Sequence, residues 1–571
     1  MNAFQGLAAV LAVAAIGVRL TGRQHRLLHL FQLEHYEGAR LMLWLRRRHE
    51  LFAPRELFAT GLLFAGALAA SASGSGWLCG ALLLLACPLA ALGVRDWRRE
   101  AVKPLVFTGR AKRLLAGALL APLLLLLATI VLAAIGLTTA SLAAVLAIAL
   151  LLLVGAPWTI LGANRALQPF QRSINRRYEQ RAQRSLRDWD PLVVGITGSY
   201  GKTTTKFCVG AVLEADRPTL VTPESYNSYL GVLRTINEHL RPSHKAFVVE
   251  MGMFRQGDIA ELCDLVHPKI GLITAIGPMH LERLGSIEAI AAAKGELLDA
   301  LPHDGHFITN ALDPRCMELA ARATVPVTLF EIERHPSPAS LAQAPPAPGS
   351  QTRTPLSSPP NPTPPSRVLA RDVRLADGRT TFTLLLDGPD GPGIEVSAAL
   401  LGTHNVSNLL AAAVVGHVLG IAPERIAHGL AQVKAPAHRL QPIHNRQAGV
   451  VVIDDAYNSN PDGAAAALEV LREHPAARRL LVTPGMVELG ELEQQLNRRF
   501  GEQAATVCDL AILVGPERTA PIREGLAGAG LPESAIHVVR DIAEATSLLG
   551  RLTRAGDVVL FENDLPDTYA A

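Results

Sequence analysis

Residues 191–206 read Pro-Leu-Val-Val-Gly-Ile-Thr-Gly-Ser-Tyr-Gly-Lys-Thr-Thr-Thr-Lys, an apolar run that breaks into a glycine-punctuated loop and then a lysine and threonines. The run up to Ile196 is short and uncharged, which predicts a buried strand. Thr197, Gly198, Ser199, Tyr200 and Gly201 then form a turn whose backbone N–H groups can surround a polyphosphate. Lys202 and the N-terminus of the following helix complete that cradle, and Thr203 or Thr204 offers a hydroxyl to Mg²⁺. The wider phosphate-loop pattern places a glycine where this chain has Ile196, so the form here is the shorter Thr-Gly-x-x-Gly-Lys-Thr-Thr.

From Asp190 onward, Val/Ile/Leu runs alternate with helical patterns: Leu192–Ile196, Ala246–Glu250, Ile270–Ala275, Phe307–Asn310, Val450–Asp454, Leu480–Thr483, Leu510–Val514 and Val558–Glu562. The alternation predicts an α/β fold, a parallel sheet with helices on both faces. Between residues 335 and 366 the pattern gives way to Pro, Ser, Ala and Thr, with eleven prolines from Pro336 to Pro365. Such a stretch cannot bury enough surface to fold and reads as an exposed insertion within one domain. A β-rich stretch, Val368–Leu401, and a helix, Val406–Leu419, follow it. The expected division is a central domain over 190–434 and a second, Rossmann-like α/β domain over 435–571.

The chain has 571 residues and a net charge of +3, but that charge averages two unlike halves. No charged residue occurs from Leu57 to Val94 or from Leu114 to Asn164. Both stretches exceed the ~20 residues that cross a bilayer, so the first 164 residues predict five spans. Their approximate limits are 4–20, 57–72, 76–94, 114–135 and 140–161, followed by a basic juxtamembrane linker over 165–189. A cleaved signal peptide at Phe4–Leu20 is disfavoured because it lacks a basic lead segment. Arginines and lysines after spans one, three and five place those loops, and everything beyond residue 165, on the cytoplasmic side of a bacterial inner membrane, with the N-terminus outside. Anionic lipid, rather than nucleic acid, accounts for these basic loops. The six cysteines show no metal-ligand spacing and no disulfide framework.

Glu250 closes a strand in Phe-Val-Val-Glu-Met-Gly-Met, where ligands bind open α/β sheets, and can hold Mg²⁺ against phosphates. His280 and Glu282 follow another strand in Pro-Met-His-Leu-Glu-Arg-Leu-Gly-Ser, and Lys294 sits in Ala-Ala-Ala-Lys-Gly-Glu. Taken singly, each would more often be structural.

Together, in order and spacing, these segments resemble the Mur ligase family, and within it the MurF type that joins a dipeptide to a cell-wall precursor. The resemblance spans about 190–515. It implies that Thr203, Glu250 and His280 bind magnesium. It also implies that Lys294 carries a carbamate, which would make it a ligand for a second Mg²⁺, and that Lys202, Lys294 and His280 are the catalytic set. Thr222-Pro-Glu-Ser-Tyr-Asn227 resembles the acceptor-side loop, and Asn310-Ala-Leu-Asp and Gly402-Thr-His404-Asn405 the nucleotide-side segments. Asp454-Asp455-Ala-Tyr457-Asn458-Ser-Asn-Pro matches the motif opening the C-terminal domain, with Asp455 near ribose, Asn458 beside nucleotide and Tyr457 on the substrate side. Arg439 occupies the place of the arginine preceding that domain.

The implied reaction is ATP-dependent amide formation through an acyl phosphate, on a nucleotide- or lipid-linked peptidoglycan precursor with an amino acid or dipeptide as amine. Three departures bear on it. The family's uridine-gripping N-terminal domain is missing. The loop Thr483-Pro-Gly-Met-Val-Glu-Leu-Gly lacks the usual Asp, and Phe561-Glu-Asn-Asp-Leu-Pro-Asp replaces a Lys-Gly-Ser-Arg tetrad. The competing expectations are a ligase for another envelope polymer, and a nucleotide-binding membrane scaffold that does not ligate.

Overall fold

The computed structural model describes residues 3–34, 36–47, 90–97, 105–136, 148, 151–279, 281–333, 365–376, 379–456, 459–487 and 489–564. The chain divides into two compact units, one built from residues up to Arg177 and one from Tyr178 to Leu565.

The larger unit holds two sheets. The first contains β1 (Leu192–Thr197), β2 (Thr219–Val221), β3 (Ala246–Glu250), β4 (Ile270–Ile273), β5 (His306–Asn310), β6 (Val327–Ile332), β7 (Ser366–Ala376), β8 (Arg379–Leu385) and β9 (Gly393–Ala398). Its order is β2-β3-β1-β4-β5-β6-β7-β8-β9. Strands β1 to β7 pair in parallel, and β8 and β9 extend the edge antiparallel. Successive side chains of a strand point to opposite faces, and both faces here are covered, which is why the strands read as unbroken apolar runs. Val194, Ile196 and Val248 pack beneath the helices Lys202–Glu214, Thr403–Val418 and Pro423–Ala431. Val193, Phe247 and Val249 pack beneath Tyr229–His239, Asp258–Val266, Ile287–Asp299 and Pro314–Ala321. Phe247 is fully buried; truncating such a phenylalanine to alanine costs about 3–5 kcal/mol.

The proline-rich stretch falls between β6 and β7, which pair directly from Thr328↔Ser366 to Ile332↔Ala370. Residues 334–364 lie outside the described residues.

The second sheet contains β10 (Gln441–Asn445), β11 (Val450–Asp455), β12 (Arg479–Thr483), β13 (Leu510–Val514), β14 (Ile536–Val539) and β15 (Val558–Glu562), in the order β10-β11-β15-β12-β13-β14. Only β10 runs antiparallel to its neighbour.

The N-terminal unit corrects the sequence reading. Among the described residues no helix is long and apolar enough to cross a membrane, so the five-span region, the inner-membrane location with its outward N-terminus, and the membrane as partner are not supported. Span 4–20 is the first part of helix Ala3–Leu33, which continues through Arg19, Arg23 and Gln24, all buried. Arg19 pairs with Asp96 at 2.5 Å, and Gln24 Nε2 donates to Ala156 O at 3.1 Å. Span 114–135 belongs to helix Gly109–Gly136, interrupted by Pro122. The end of span 140–161 enters helix Ala156–Trp189, which absorbs the whole 165–189 linker and is charged along most of its length. Span 57–72 and most of 76–94 lie outside the described residues. Leu20, Leu27, Phe31, Leu41, Leu114 and Ile160 instead form a helix-to-helix core. For the residues of that core, burial against protein satisfies the lack of charge as burial in lipid would, whereas Leu120, Leu124, Leu127 and Val131 of helix Gly109–Gly136 are exposed.

Candidate active site

β1 delivers its last residue, Thr197, fully buried, with Oγ1 donating to Met251 O at 2.9 Å. The chain then turns through Gly198 (φ 150°) and Gly201 (φ 75°). A Cβ at Gly198 would collide with Thr274 Oγ1, and one at Gly201 with Asn408 Oδ1, so the loop admits only glycine at both points. Ser199 pins the loop to the segment after β4: its N–H donates to Ala275 O at 2.7 Å and its Oγ to Gly277 O at 3.0 Å. Lys202 Nζ folds back on Gly198 O at 2.6 Å. Burial lowers the Lys202 ammonium below its usual pKa; Glu250 opposes that effect and Arg439 adds to it.

Thr205 Oγ1 donates to Asn408 Oδ1 at 2.9 Å, and Asn408 Nδ2 donates to Asn405 Oδ1 at 2.8 Å. This chain ties the phosphate-loop helix to helix Thr403–Val418. Asn405 completes its bonding by donating to Leu401 O at 2.7 Å.

Glu250 ends β3 and is 1 % exposed. Lys206 Nζ donates to its Oε2 at 3.2 Å and Asn227 Nδ2 to its Oε1 at 2.9 Å. Lys206 also donates to the Glu224 carbonyl. Sequence reasoning missed Lys206. The available signal was its i+4 spacing from Lys202, which puts both amines on one side of the same helix.

Lys294 lies on helix Ile287–Asp299 and is 2 % exposed. Its amine is held well below the ordinary lysine range, first by burial and then by the charge of Lys202. Burial of this kind favours the uncharged amine over the ammonium. Two residues on, Glu296 accepts from Gly257 N at 2.7 Å and Ala260 N at 3.0 Å, capping the neighbouring helix. It positions the lysine's helix rather than facing a ligand.

These pieces converge. Ser199 to Thr204, Asn227, Glu250 and Lys294 line one cleft with Arg439 and Asn460 from the following segment. Its lining sets Lys202, Lys294 and Arg439 against one carboxylate, Glu250. A cleft of that balance suits a polyphosphate. The Thr203 hydroxyl and Glu250 are hard oxygen donors suited to Mg²⁺ shared with phosphate, so the residues present fit the implied ion; among the described residues no group of three His, Cys, Asp or Glu forms a metal cage.

Other expected residues do not line the cleft. Asn310 accepts from Leu312 N at 2.9 Å within its own turn. His404 Nδ1 is buried without a hydrogen-bond partner, and burial followed by Arg439 lowers its pKa to about 4. An unpartnered polar atom beside a cleft-lining arginine is open to a ligand's hydroxyl or ring nitrogen. Asp455 accepts from Leu440 N at 3.1 Å; burial raises it to about 6, against the pull of Arg439. Its register partner across β11 and β15 is Glu562, also raised by burial and by Asp455, and held by Ser459 Oγ at 2.5 Å. Two buried carboxyls in register disfavour having both ionised. The sequence marked Glu562 as part of an acidic departure, but its pairing with Asp455 was not read, since that depends on the registry of strands a hundred residues apart. His280, Tyr457 and Asn458 lie outside the described residues.

The chain is similar to known proteins over both of its sheet-containing domains. Residues 196–416 match the Mur ligase middle domain and residues 438–562 the Mur ligase, glutamate ligase domain. The UDP-N-acetylmuramoyl-tripeptide--D-alanyl-D-alanine ligase of Mycobacterium leprae is 34% identical over 387 residues, covering 65% of this chain and 70% of that protein. The enzyme of the same name from Synechocystis sp. is 33% identical over 340 residues, covering 59% of this chain and 64% of its own. The crystal structure of MurF from Acinetobacter baumannii superposes with a TM-score of 0.56 at 26% identity, covering 69% of this chain and 78% of that one.

Proposed function

The chain belongs to the Mur ligase family, and from that premise we propose that it is an ATP-dependent carbon–nitrogen ligase of the MurF type, acting on a peptidoglycan precursor. The observation that carries this reading is the single cleft in which the phosphate loop, Glu250, Lys294 and Arg439 meet. In this reading residues 190–434 bind nucleotide and 435–571 close over it.

The acceptor's carboxylate attacks the γ-phosphorus of ATP, forming an acyl phosphate and releasing ADP. The amine then attacks the acyl carbon; the C–O bond to phosphate breaks, inorganic phosphate leaves, and the ammonium proton is lost to solvent. The chain's own task is positioning and charge stabilisation. Loop N–H groups and Lys202 hold the triphosphate in line, which requires Lys202 to exchange its bond with Gly198 O for phosphate oxygen. Arg439 approaches from the second domain and shields the anhydride from water. Thr203, Glu250 and His280 would hold magnesium, which neutralises phosphate charge. Lys294, its ammonium disfavoured by burial, is suited to take up CO₂: an N–C bond forms, a proton leaves, and the resulting carbamate would offer a second hard oxygen ligand.

The relatives' names give UDP-N-acetylmuramoyl-tripeptide and D-alanyl-D-alanine as the substrate pair. One observation favours a different amine: Glu562, in the segment that departs from the family pattern, is a buried acid paired with Asp455. The purified protein with ATP, the muramoyl tripeptide and D-alanyl-D-alanine tests both. ADP release that needs all three and disappears in Lys202→Ala supports the MurF reaction. ADP release with another amine alone moves the assignment to another envelope polymer. No release with any acceptor refutes the ligase.

A further inference from the structure

Arg439 reaches the cleft from a segment whose backbone is unusual. Pro436 to Arg439 form a turn in which Arg439 N donates to Pro436 O at 3.2 Å. The third residue of that turn, His438, has φ 59°, the left-handed position that such turns usually give to Gly or Asn. Leu440, on the other side of Arg439, has φ 48°. Bulky side chains are rare in that region, because Cβ crowds the following carbonyl oxygen. Arg439 is therefore bracketed by two strained residues, and such strain persists only where surrounding contacts over-determine it.

Those contacts come from one strand end. β11 closes on Asp454 and Asp455, whose side chains leave opposite faces of the strand. His438 Nδ1 lies 2.7 Å from Asp454 Oδ2, and Asp454 Oδ1 accepts from Ala456 N at 3.1 Å. The His438 side chain is 60% exposed, so burial does not hold it and Asp454 does. Asp455 Oδ1 accepts from Leu440 N at 3.1 Å. Leu440 is itself buried in one core with Ile453 of β11. The ladder adds alignment, since Asp454 is in register with Gln441, the residue after Leu440.

We propose that the two aspartates act through this segment: the His438–Asp454 and Leu440–Asp455 contacts clamp it and aim the Arg439 guanidinium at the nucleotide's phosphates. Asp454 and His438 are then positioning residues, neither of them lining the cleft. The proposal rests on the ligase reading for the reaction, and on the segment's geometry alone for the clamp. An arginine kept in one direction loses less rotamer freedom on meeting phosphate, so the clamp adds affinity for the triphosphate. It also adds shielding, because an arginine out of place lets water reach the acyl phosphate before the amine does.

The test is a double-mutant cycle on the full chain. Its readout is affinity for a non-hydrolysable ATP analogue, with AMP as the control that lacks β- and γ-phosphates. Arg439→Ala is expected to weaken the analogue about tenfold, the worth of one charge-assisted contact. His438→Gly, which relaxes the turn and removes the imidazole, and Asp454→Ala are each expected to weaken it about threefold, since the arginine remains but is no longer held. Neither weakens binding further once Arg439 is alanine, and AMP affinity is unchanged throughout. Asp454→Asn keeps an oxygen that accepts from His438 and binds within about twofold of wild type. Wild-type affinity in both clamp variants, losses that persist beside Arg439→Ala, equal losses for AMP, or Asp454→Asn as weak as Asp454→Ala overturns the proposal. His438→Gly changes an exposed side chain and relaxes its backbone, so it decides the matter if Asp454→Ala melts early. In turnover, ADP released per amide formed is expected to rise above one in Arg439→Ala and in both clamp variants; a ratio of one in all three also overturns it. If no amide forms in the wild type, the ligase reading fails while the affinity cycle still decides the clamp.

Discussion

Lys206→Met is the substitution with the most direct consequence. Lys206 and Glu250 form an ion pair at 3.2 Å with side-chain exposures of 0% and 1%. Methionine keeps the apolar stem but removes the ammonium. Among the described residues Glu250's carboxylate then retains the Asn227 amide at 2.9 Å, and the Glu224 carbonyl loses its Lys206 donor. Breaking a buried pair from one side costs about 3–5 kcal/mol, because the other charge is left in low dielectric. Glu250→Gln strands the lysine and costs a similar amount. The double variant Lys206→Met/Glu250→Gln strands neither, so it falls below the sum of the singles by about 1–3 kcal/mol. Urea unfolding monitored by hydrogen exchange of β1 and β3 amides measures all four corners of the cycle. A second readout is magnesium: a divalent cation restores positive charge beside Glu250, so Mg²⁺ with nucleotide stabilises Lys206→Met more than wild type. Singles that cost under ~1 kcal/mol, or that simply add, would refute the claim that Lys206 neutralises Glu250.

Four further outcomes follow from the same geometry. Asp455 is held near 6 by burial, against about 3.9 unfolded; the folded state keeps a proton that the unfolded state releases. That contribution is complete below pH ~4 and lost as pH rises through 6. Asp455→Asn is therefore more stable than wild type at pH 8 and not at pH 4, and thermal melts at both pH values check it. His404, lowered to about 4, contributes stability above its unfolded pKa near 6.5 that is lost as pH falls through 4, about 3 kcal/mol in all; His404→Asn should flatten the acid limb of the melting profile. Asn408→Ala leaves the Thr205 hydroxyl without its acceptor and Asn405 Oδ1 without its donor, costing about 1–3 kcal/mol, and should weaken ATP binding in a nucleotide titration more than it lowers kcat. Lys294→Ala should abolish ADP release, with partial recovery on adding formate or acetate, small carboxylates able to stand in for a carbamate; recovery absent across a concentration series would count against the carbamate.

The strand Ile196 and its loop were legible because their physics is local: apolar residues stop, glycines turn, and a lysine opens a helix. The same holds for β3, β13 and β15, whose limits are those of their apolar runs. β2, with three residues, and β10, with Gln, Pro, His and Asn among its five, are edge strands that carry little hydrophobic signal. Helix Thr403–Val418 was expected three residues late, since Thr403 and His404 add no apolar period to its first turn.

The N-terminal half marks where composition misled. Uncharged helical sequence states only that a segment avoids water; it does not say whether lipid or another helix does the covering. Arg19 beside Asp96 and Gln24 beside Ala156 decide that for the later part of helix Ala3–Leu33, and both partnerships join residues more than seventy positions apart. By itself the sequence determined which elements exist, which loop takes phosphate and which ligase family the chain resembles. Only tertiary structure decided that Lys206 pairs with Glu250 and that Asp455 lies in register with Glu562. Periodicity is a property of neighbours along the chain, whereas charge compensation is a property of neighbours in space.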